Sequence, residues 1–261
     1  MGQTLTVLIT TLALTLILMF LLWLLSLARK DASIVDSFWG AGFTAIAWIC
    51  FAITNGYPPR KLLITTLVTV WGLRLAIHIF RRNHGKGEDF RYQRMRARHG
   101  DRFALVSLFT VFGLQGVLMW IISFPIQVAE IAPVPDRMTW LDFLGVAVWI
   151  IGFLFEAVGD WQLTRFKADT NNRGKVMDRG LWAYTRHPNY FGDATLWWGL
   201  FLIALATPGS LWTIISPAIM TFLLIKISGV ALLEKSLVKT KPQYQDYLRR
   251  TSAFFPWIPR H

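Results

Sequence analysis

Apolar runs long enough to cross a bilayer recur seven times in this chain, at 5–28, 34–54, 61–80, 103–131, 140–162, 190–207 and 211–233. A segment in lipid must satisfy its own backbone polar groups, so runs of about 20 residues point to transmembrane helices. Seven of them would use about 140 residues, which matches the 54% of 261 residues that are apolar. Only 16% of the residues are charged, against about 25% in soluble domains. A disordered chain, a collagen-like chain and an ordinary soluble enzyme are excluded. The expected fold class is an all-α integral membrane protein with seven transmembrane helices. It is read as one domain over 1–261, since no internal repeat or low-complexity tract divides it.

The first run has no basic segment before it and no small-residue cleavage pattern after it, so it reads as a span and not a signal peptide. The run 103–131 is long for one crossing. A kink at Pro125, or an interfacial end, would accommodate it. The lone cysteine, Cys50, excludes a disulfide framework.

The formal charge of +12 needs no nucleic acid to explain it. Basic residues gather after the first span (Arg29, Lys30), in 81–102, in 163–189 and after 233, giving 22 of the 27 cations. An odd number of spans puts all four groups on one side. The positive-inside rule makes that side cytoplasmic, with the amino terminus outside and the carboxyl terminus inside. Arg60, Lys61 and Arg137 fall on the outer side, while Arg74 and Lys226 stay within spans. The outer loops 55–60, 132–139 and 208–210 are short turns, so chemistry with a water-soluble cofactor is expected at the cytoplasmic end.

Common signatures are missing. There is no G-x-G-x-x-G after a strand, no phosphate-binding Walker loop, no H-E-x-x-H and no G-x-S-x-G. The five histidines form no pair with metal-ligand spacing, so no metal is expected.

Four constellations remain. The richest is Gly180-Leu-Trp-Ala-Tyr184-Thr-Arg186-His187-Pro188-Asn189-Tyr190-Phe-Gly192-Asp193. Pro188 suits the first turn of a helix, which places Arg186, His187 and Asn189 at a helix amino terminus that favours anions. Tyr190, Asp193 and Trp197 follow at helical spacing, and a charge such as Asp193 inside a span is costly and functional by default. The blander alternative is an interfacial Arg–Asp pair in a Tyr/Trp belt. Glu156 and Asp160 are four apart on one helix face, with Arg165, Lys167 and Arg186 as candidate counterions. Asp36 lies a turn or so inside the second span, and Arg74 sits in the third with Trp71 and His78 on its face. The pair reads either as a helix–helix salt bridge or as an acid that polarises a substrate carbonyl or donates a proton. Finally, Arg81-Arg82-Asn83-His84-Gly85-Lys86-Gly87-Glu88-Asp89-Phe90-Arg91-Tyr92 combines flexible glycines with Asn83 and Lys86, which suit a phosphate or ribose. The tail 241–250 reads as a short interfacial helix, either an anchor or a cover for the site, and Glu234 as an answer to a nearby cation.

The stretch from Phe155 onward resembles the carboxyl-terminal domain of the steroid 5-alpha-reductase superfamily. The resemblance rests on Glu156-x-x-x-Asp160, Gly180-Leu-Trp, Asn189-Tyr190-Phe-Gly192-Asp193, Trp197 and Tyr244 to Pro256. With Val35-Asp36-x-x-Trp39-Gly40, Arg82-Asn83-x-Gly85-Lys86-Gly87-Glu88-Asp89-x-Arg91-Tyr92 and Thr251 to Pro256, the whole chain resembles a bacterial membrane branch of that superfamily. The resemblance implies a reductase of a bacterial inner membrane that binds NADPH in a cytoplasm-facing cavity. Its hydride would go to a carbonyl-conjugated carbon–carbon double bond of a steroid-like or other lipid. The part at about 140–261 would hold the cofactor. By position, Asn83, Lys86, Asp160, Lys167, Arg179, Tyr184, Arg186, His187, Asn189, Tyr190, Asp193 and Trp197 would contact it. Asp36 falls where characterised members place a glutamate that holds the substrate carbonyl, with Arg74 nearby. Their catalytic tyrosine on the third span has no match, since Trp71, Gly72 and Arg74 occupy that neighbourhood. The string Arg186-His187-Pro188-x-Tyr190-x-Gly192 is also similar to isoprenylcysteine and phospholipid methyltransferases, which use S-adenosylmethionine. A lipid-binding protein without catalysis is the third possibility.

Overall fold

In the computed structural model, residues 2–227, 234, 237–238, 241 and 243–259 are described. Regular structure among them is helical, and the one strand-type contact is an isolated parallel bridge between Thr185 and Ser252. Five helical stretches are long and apolar enough to cross a membrane: Gly2–Arg29, Ile34–Ile53, Pro58–Asn83, Phe90–Ile122 and Trp140–Ala168. They are what a multi-pass membrane protein requires. The sixth run becomes the helix Pro188–Leu205, and the seventh a shorter apolar helix, Leu211–Ile227. The end of that seventh run, 228–233, lies outside the described residues, as do Lys235, Lys239, Arg260 and His261 from the cationic tail.

Contacts divide the chain into two compact units. The first comprises the residues up to Thr139 together with Ala204–Leu211, and the second comprises Trp140–Ile203 and the residues from Trp212 onward.

In the first unit, α1 (Gly2–Arg29), α2 (Ile34–Ile53) and α3 (Pro58–Asn83) follow one another through short turns. Helices α2 and α3 cross at Gly40 and Gly72, where a Cβ on either residue would run into the other's carbonyl. Close backbone approach at small residues is how helices gain packing energy without a hydrophobic driving force. A basic helix, α4 (Phe90–His99), ends at Gly100, whose φ of 51° turns the chain. Next come α5 (Phe103–Ser107), a π-helical stretch over Leu108–Gly113, and α6 (Leu114–Ile122). The long run then breaks at Ser123, and α7 (Phe124–Ile131) restarts with Pro125 in its first turn. The break comes where proline, lacking an N–H, is easiest to seat. Buried polar side chains tie α1 to α7: the Thr11 hydroxyl donates to Gln127 Oε1 at 2.8 Å, and Gln127 Nε2 donates to Ser123 Oγ at 2.7 Å.

Arg60 and Lys61, which the sequence sets on the outer side, are not solvent-facing charges. Both are buried. Arg60 donates to the carbonyls of Pro135 and Arg137 at 3.2 and 3.0 Å, and Lys61 donates to those of Phe51 and Thr54. Carbonyls left free at a helix end and in a loop supply the acceptors these cations need once out of water.

The second unit contains α8 (Trp140–Ala168), α9 (Leu181–Tyr184), α10 (Pro188–Leu205), α11 (Ile215–Phe222) and α12 (Tyr244–Arg250). Glycines at 145, 152 and 159 on α8 and at 192 and 199 on α10 each repeat every seven residues. A seven-residue step is close to two helical turns, so each set forms one stripe. The stripes meet. A Cβ on Gly192 would strike the backbone of Glu156 and Gly152, one on Gly199 that of Trp149, and one on Gly159 would lie 3.1 Å from the Asn189 nitrogen. This contact places the polar end of α8 against the start of α10.

Candidate functional site

Each unit carries a cluster of polar side chains. In the first, Asp36 occupies the first turn of α2, where the helix dipole favours a carboxylate. Arg91 Nη2 reaches Asp36 Oδ2 at 2.6 Å, and the buried Tyr92 hydroxyl donates to Asp36 Oδ1 at 2.9 Å. Gln115 Nε2 lies 3.4 Å from the Tyr92 oxygen, and Trp39 Nε1 donates to Gln115 Oε1 at 2.6 Å. Two residues of the sequence motif, Asp36 and Trp39, thus reach one hydrogen-bonded chain. The expected Asp36–Arg74 bridge is not formed: both carboxylate oxygens are taken by Arg91 and Tyr92. Arg91 stands in the first turn of α4, from where it reaches the first turn of α2 that holds Asp36.

The loop before α4 is built to hold Arg91 and Tyr92 in place. Asp89 caps α4 by accepting from the Arg91 N–H, and also accepts from Arg91 Nε, both at 2.9 Å. Glu88 accepts from the Ala32 N–H at 2.9 Å and from Arg96 Nη2 at 2.8 Å. Burial alone would raise both carboxyls, but the Arg96 and Ala32 hydrogen bonds hold Glu88 below the usual carboxylate range. The side-chain and backbone donors of Arg91 do the same for Asp89. So Glu88 and Asp89, which look out of place in a basic topology signal, tie the 84–89 turn to the start of α2. Gly85 and Gly87 hold positive φ in that turn. Asn83 sits at the end of α3 with its Oδ1 3.2 Å from Arg82 Nε, and Lys86 is exposed.

In the second unit, Asn189 Nδ2 donates to Asp160 Oδ1 at 3.0 Å. The other side-chain atom of Asn189, Oδ1, is buried and has no hydrogen-bond partner among the described residues. Asp193 and Trp197 follow at helical spacing on α10, and Trp197 is fully buried. Glu156 is also buried, one turn before Asp160. Arg186 does not answer these carboxylates. Its Nε lies 3.2 Å from Glu234 Oε1, and His187 Nε2 lies at the same distance from the same oxygen. Glu234 thereby answers a cation, as its position suggested. The His187 ring stacks on Tyr190 with centroids 5.6 Å apart.

The tail packs on the 182–186 segment. The Tyr247 hydroxyl donates to the Trp182 carbonyl, the Arg186 N–H to Ser252 at 3.0 Å and the Thr185 hydroxyl to Phe254 at 2.8 Å. Burial, then the Glu234 charge, pushes the Tyr244 phenol up to about 12, and burial raises Tyr247 as well. Both hydroxyls remain protonated donors at neutral pH.

Other expected cofactor residues lie elsewhere. Tyr184 is half exposed and gives its carbonyl to the Trp257 N–H at 2.9 Å. Lys167 is exposed near the end of α8. Arg179 lies over the Phe166 ring, 5.6 Å from its centroid, and Arg165 over Trp161 at 5.2 Å. These two arginines line a cavity of about 480 Å³ with Gln162, Asp169, Asn172 and Met177. No group of three or more potential metal ligands occurs among the described residues. Sequence reasoning missed the roles of Arg91 and Tyr92, although both stand in the string that ends the fourth constellation.

A family model described as "Protein of unknown function (DUF1295)" matches residues 22–251. An uncharacterised protein of Schizosaccharomyces pombe is 25% identical over 276 residues, which cover 94% of this chain and 78% of the yeast protein. No solved structure matches the chain significantly. Since the family model takes in both polar clusters and most of the sequence, the chain belongs to the DUF1295 family.

Proposed function

We propose that this protein is an NADPH-dependent membrane reductase, acting on a carbonyl-conjugated C=C bond of a hydrophobic lipid or steroid-like substrate. Within this reading it is a member of the steroid 5-alpha-reductase superfamily in a bacterial inner membrane. It has seven spans, Pro188–Leu205 and the helix from Leu211 being the last two, with the amino terminus outside and the carboxyl terminus in the cytoplasm.

The supporting observation is Asn189. A buried amide oxygen without a partner costs on the order of 1–3 kcal/mol, unless a ligand supplies the missing donor. The carboxamide of a nicotinamide is such a donor. Asp160 orients Asn189 through its Nδ2, and Asp193 stands one turn further along α10. These residues fit a nicotinamide nucleotide, and Asn189, Asp160, Asp193, His187 and Tyr190 would hold it. The bound cofactor supplies a hydride.

Hydride addition to the β carbon leaves negative charge on the substrate carbonyl oxygen. A positioned hydroxyl donor stabilises that charge. The reading gives this role to Tyr92. Its hydroxyl proton now rests on Asp36, and the Gln115 amide beside it limits its orientation. Arg91 keeps a positive charge beside the pair. Asp36 is therefore a positioning residue for the phenol, and Tyr92 takes the place of the tyrosine missing from the third span.

The test is a thermal-shift series on purified protein with NADPH, NADH and S-adenosylmethionine. Stabilisation by NADPH is expected, with affinity reduced at least several-fold in Asn189→Ala. A shift with S-adenosylmethionine alone would overturn the reductase in favour of a methyltransferase, which the Glu234 contact to Arg186 and His187 would then serve. No shift with any of the three would leave a lipid-binding protein without catalysis.

A further inference from the structure

Helix α8 has two differently dressed sides. Trp140, Leu144, Ile151, Leu154 and Trp161 are exposed. They follow one another at steps of four, seven, three and seven, so they line one face. Arg165 continues that stripe four residues after Trp161. Glu156 and Asp160 are buried and, at 100° per residue, point roughly the other way. An apolar stripe on a spanning helix faces acyl chains. This one ends at the cytoplasmic side in the cavity of about 480 Å³ lined by Trp161, Gln162, Arg165, Asn172 and Arg179. That volume is in the usual range for a small-molecule site.

The cavity is electropositive. The Arg165 and Arg179 guanidinium groups lie over the Trp161 and Phe166 rings at 5.2 and 5.6 Å, and neither makes an ion pair among the described residues. Asp169, the acid of the cavity, is committed to its own turn. Its Oδ1 accepts from the Asn171 N–H at 2.9 Å, and its Oδ2 lies 3.3 Å from Asn172 Nδ2. Two guanidinium groups placed over rings, beside the Gln162 side chain, suit a phosphodiester, which arginine binds with paired N–H groups. Basic pockets at the cytoplasmic ends of spanning helices bind lipid headgroups.

We infer that this cavity binds the headgroup of an anionic phospholipid, whose acyl chain lies along the Trp140–Trp161 stripe. The phosphate sits between Arg165 and Arg179, and the indole of Trp161 marks the depth of the headgroup layer. The inference does not rest on the reductase reading, because it uses the opposite side of α8 from Asp160.

The test is lipid retention on detergent-purified full-length protein by native mass spectrometry. Dioleoyl phosphatidylglycerol and dioleoyl phosphatidylcholine are supplied in equal amounts, with and without inorganic phosphate or NADPH. Retention of phosphatidylglycerol at least fivefold above phosphatidylcholine is expected. The preference should fall below twofold in Arg165→Glu. In Trp161→Ala, which keeps both charges, it should weaken but persist. Far-ultraviolet circular dichroism and gel filtration of the variants show that they are folded. Equal retention of the two lipids overturns the proposal, as does an undiminished preference in folded Arg165→Glu. Displacement by inorganic phosphate assigns the cavity to a free anion, and displacement by NADPH assigns it to the nucleotide. Either result overturns a lipid site.

Discussion

At the residue scale, the sharpest consequence follows from the Tyr92 hydroxyl. Phenylalanine at this position keeps the ring under Arg91 and removes the donor to Asp36, together with the long 3.4 Å contact from Gln115 Nε2. Loss of one such bond costs about 1 kcal/mol of stability. Loss of one donor to a developing oxyanion costs about 10²–10³ in turnover. Tyr92→Phe is therefore expected to keep its NADPH-induced thermal shift and to lose at least a hundredfold in NADPH oxidation on a conjugated enone lipid. Turnover like that of the wild type would remove Tyr92 from the chemistry. Asp36 was legible in the sequence because a carboxylate inside an apolar run is conspicuous. Its partners were not, because Arg91 and Tyr92 lie more than 50 residues away on a different helix. Spacing on one helix reports its own face only. Arg74, the cation that the sequence sets beside Asp36, is on α3 and not on the helix that supplies these two partners.

At the element scale, the crossing of α8 and α10 sets where Asp160 and Asn189 meet. The seven-residue glycine repeat was visible in the sequence, yet a glycine inside an apolar run carries no partner label. Only the facing stripe on the other helix gives it meaning. The same limit applies to the long run 103–131. Its break near Pro125 follows from proline chemistry, whereas the π-helical stretch over Leu108–Gly113 has no comparable signal. Helix propensity and packing make opposite predictions for glycine replacement here. Alanine gains up to about 1 kcal/mol in an unobstructed helix. At Gly192 the new Cβ would stand 2.9 Å from the Glu156 Cα, a backbone atom that cannot step aside. At Gly116 it would stand 3.1 Å from Cγ of the flexible Met19 side chain. Overpacking against rigid neighbours costs typically 1–3 kcal/mol. Gly192→Ala should thus lower the melting temperature by several degrees and weaken NADPH binding, while Gly116→Ala should leave both within error. Equal effects of the two would show that the crossing is not tight enough to position the site.

At the scale of the whole molecule, the excess of positive charge has more than one origin. The proposed orientation would account for the clustering of most of the cations. Yet Arg60 and Lys61 are structural, Arg91 and Arg96 fix a loop, Arg186 answers Glu234, and Arg165 and Arg179 form a cavity. Counting cations treated all of these alike, so topology deserves a direct measurement. The chain is suited to it, because its one cysteine, Cys50, is fully buried and should react little with a membrane-impermeant maleimide. With an odd number of spans and the amino terminus outside, position 137 faces the exterior and position 86 the cytoplasm. Arg137→Cys should label in intact cells, whereas Lys86→Cys, at an exposed position in its turn, should label only after permeabilisation. The reverse pattern would invert the protein and place the basic 84–89 turn outside, beyond reach of cytoplasmic NADPH. Labelling of both from the same side would show that the run 103–131, which lies between them, does not cross the membrane once, and would break the proposed topology.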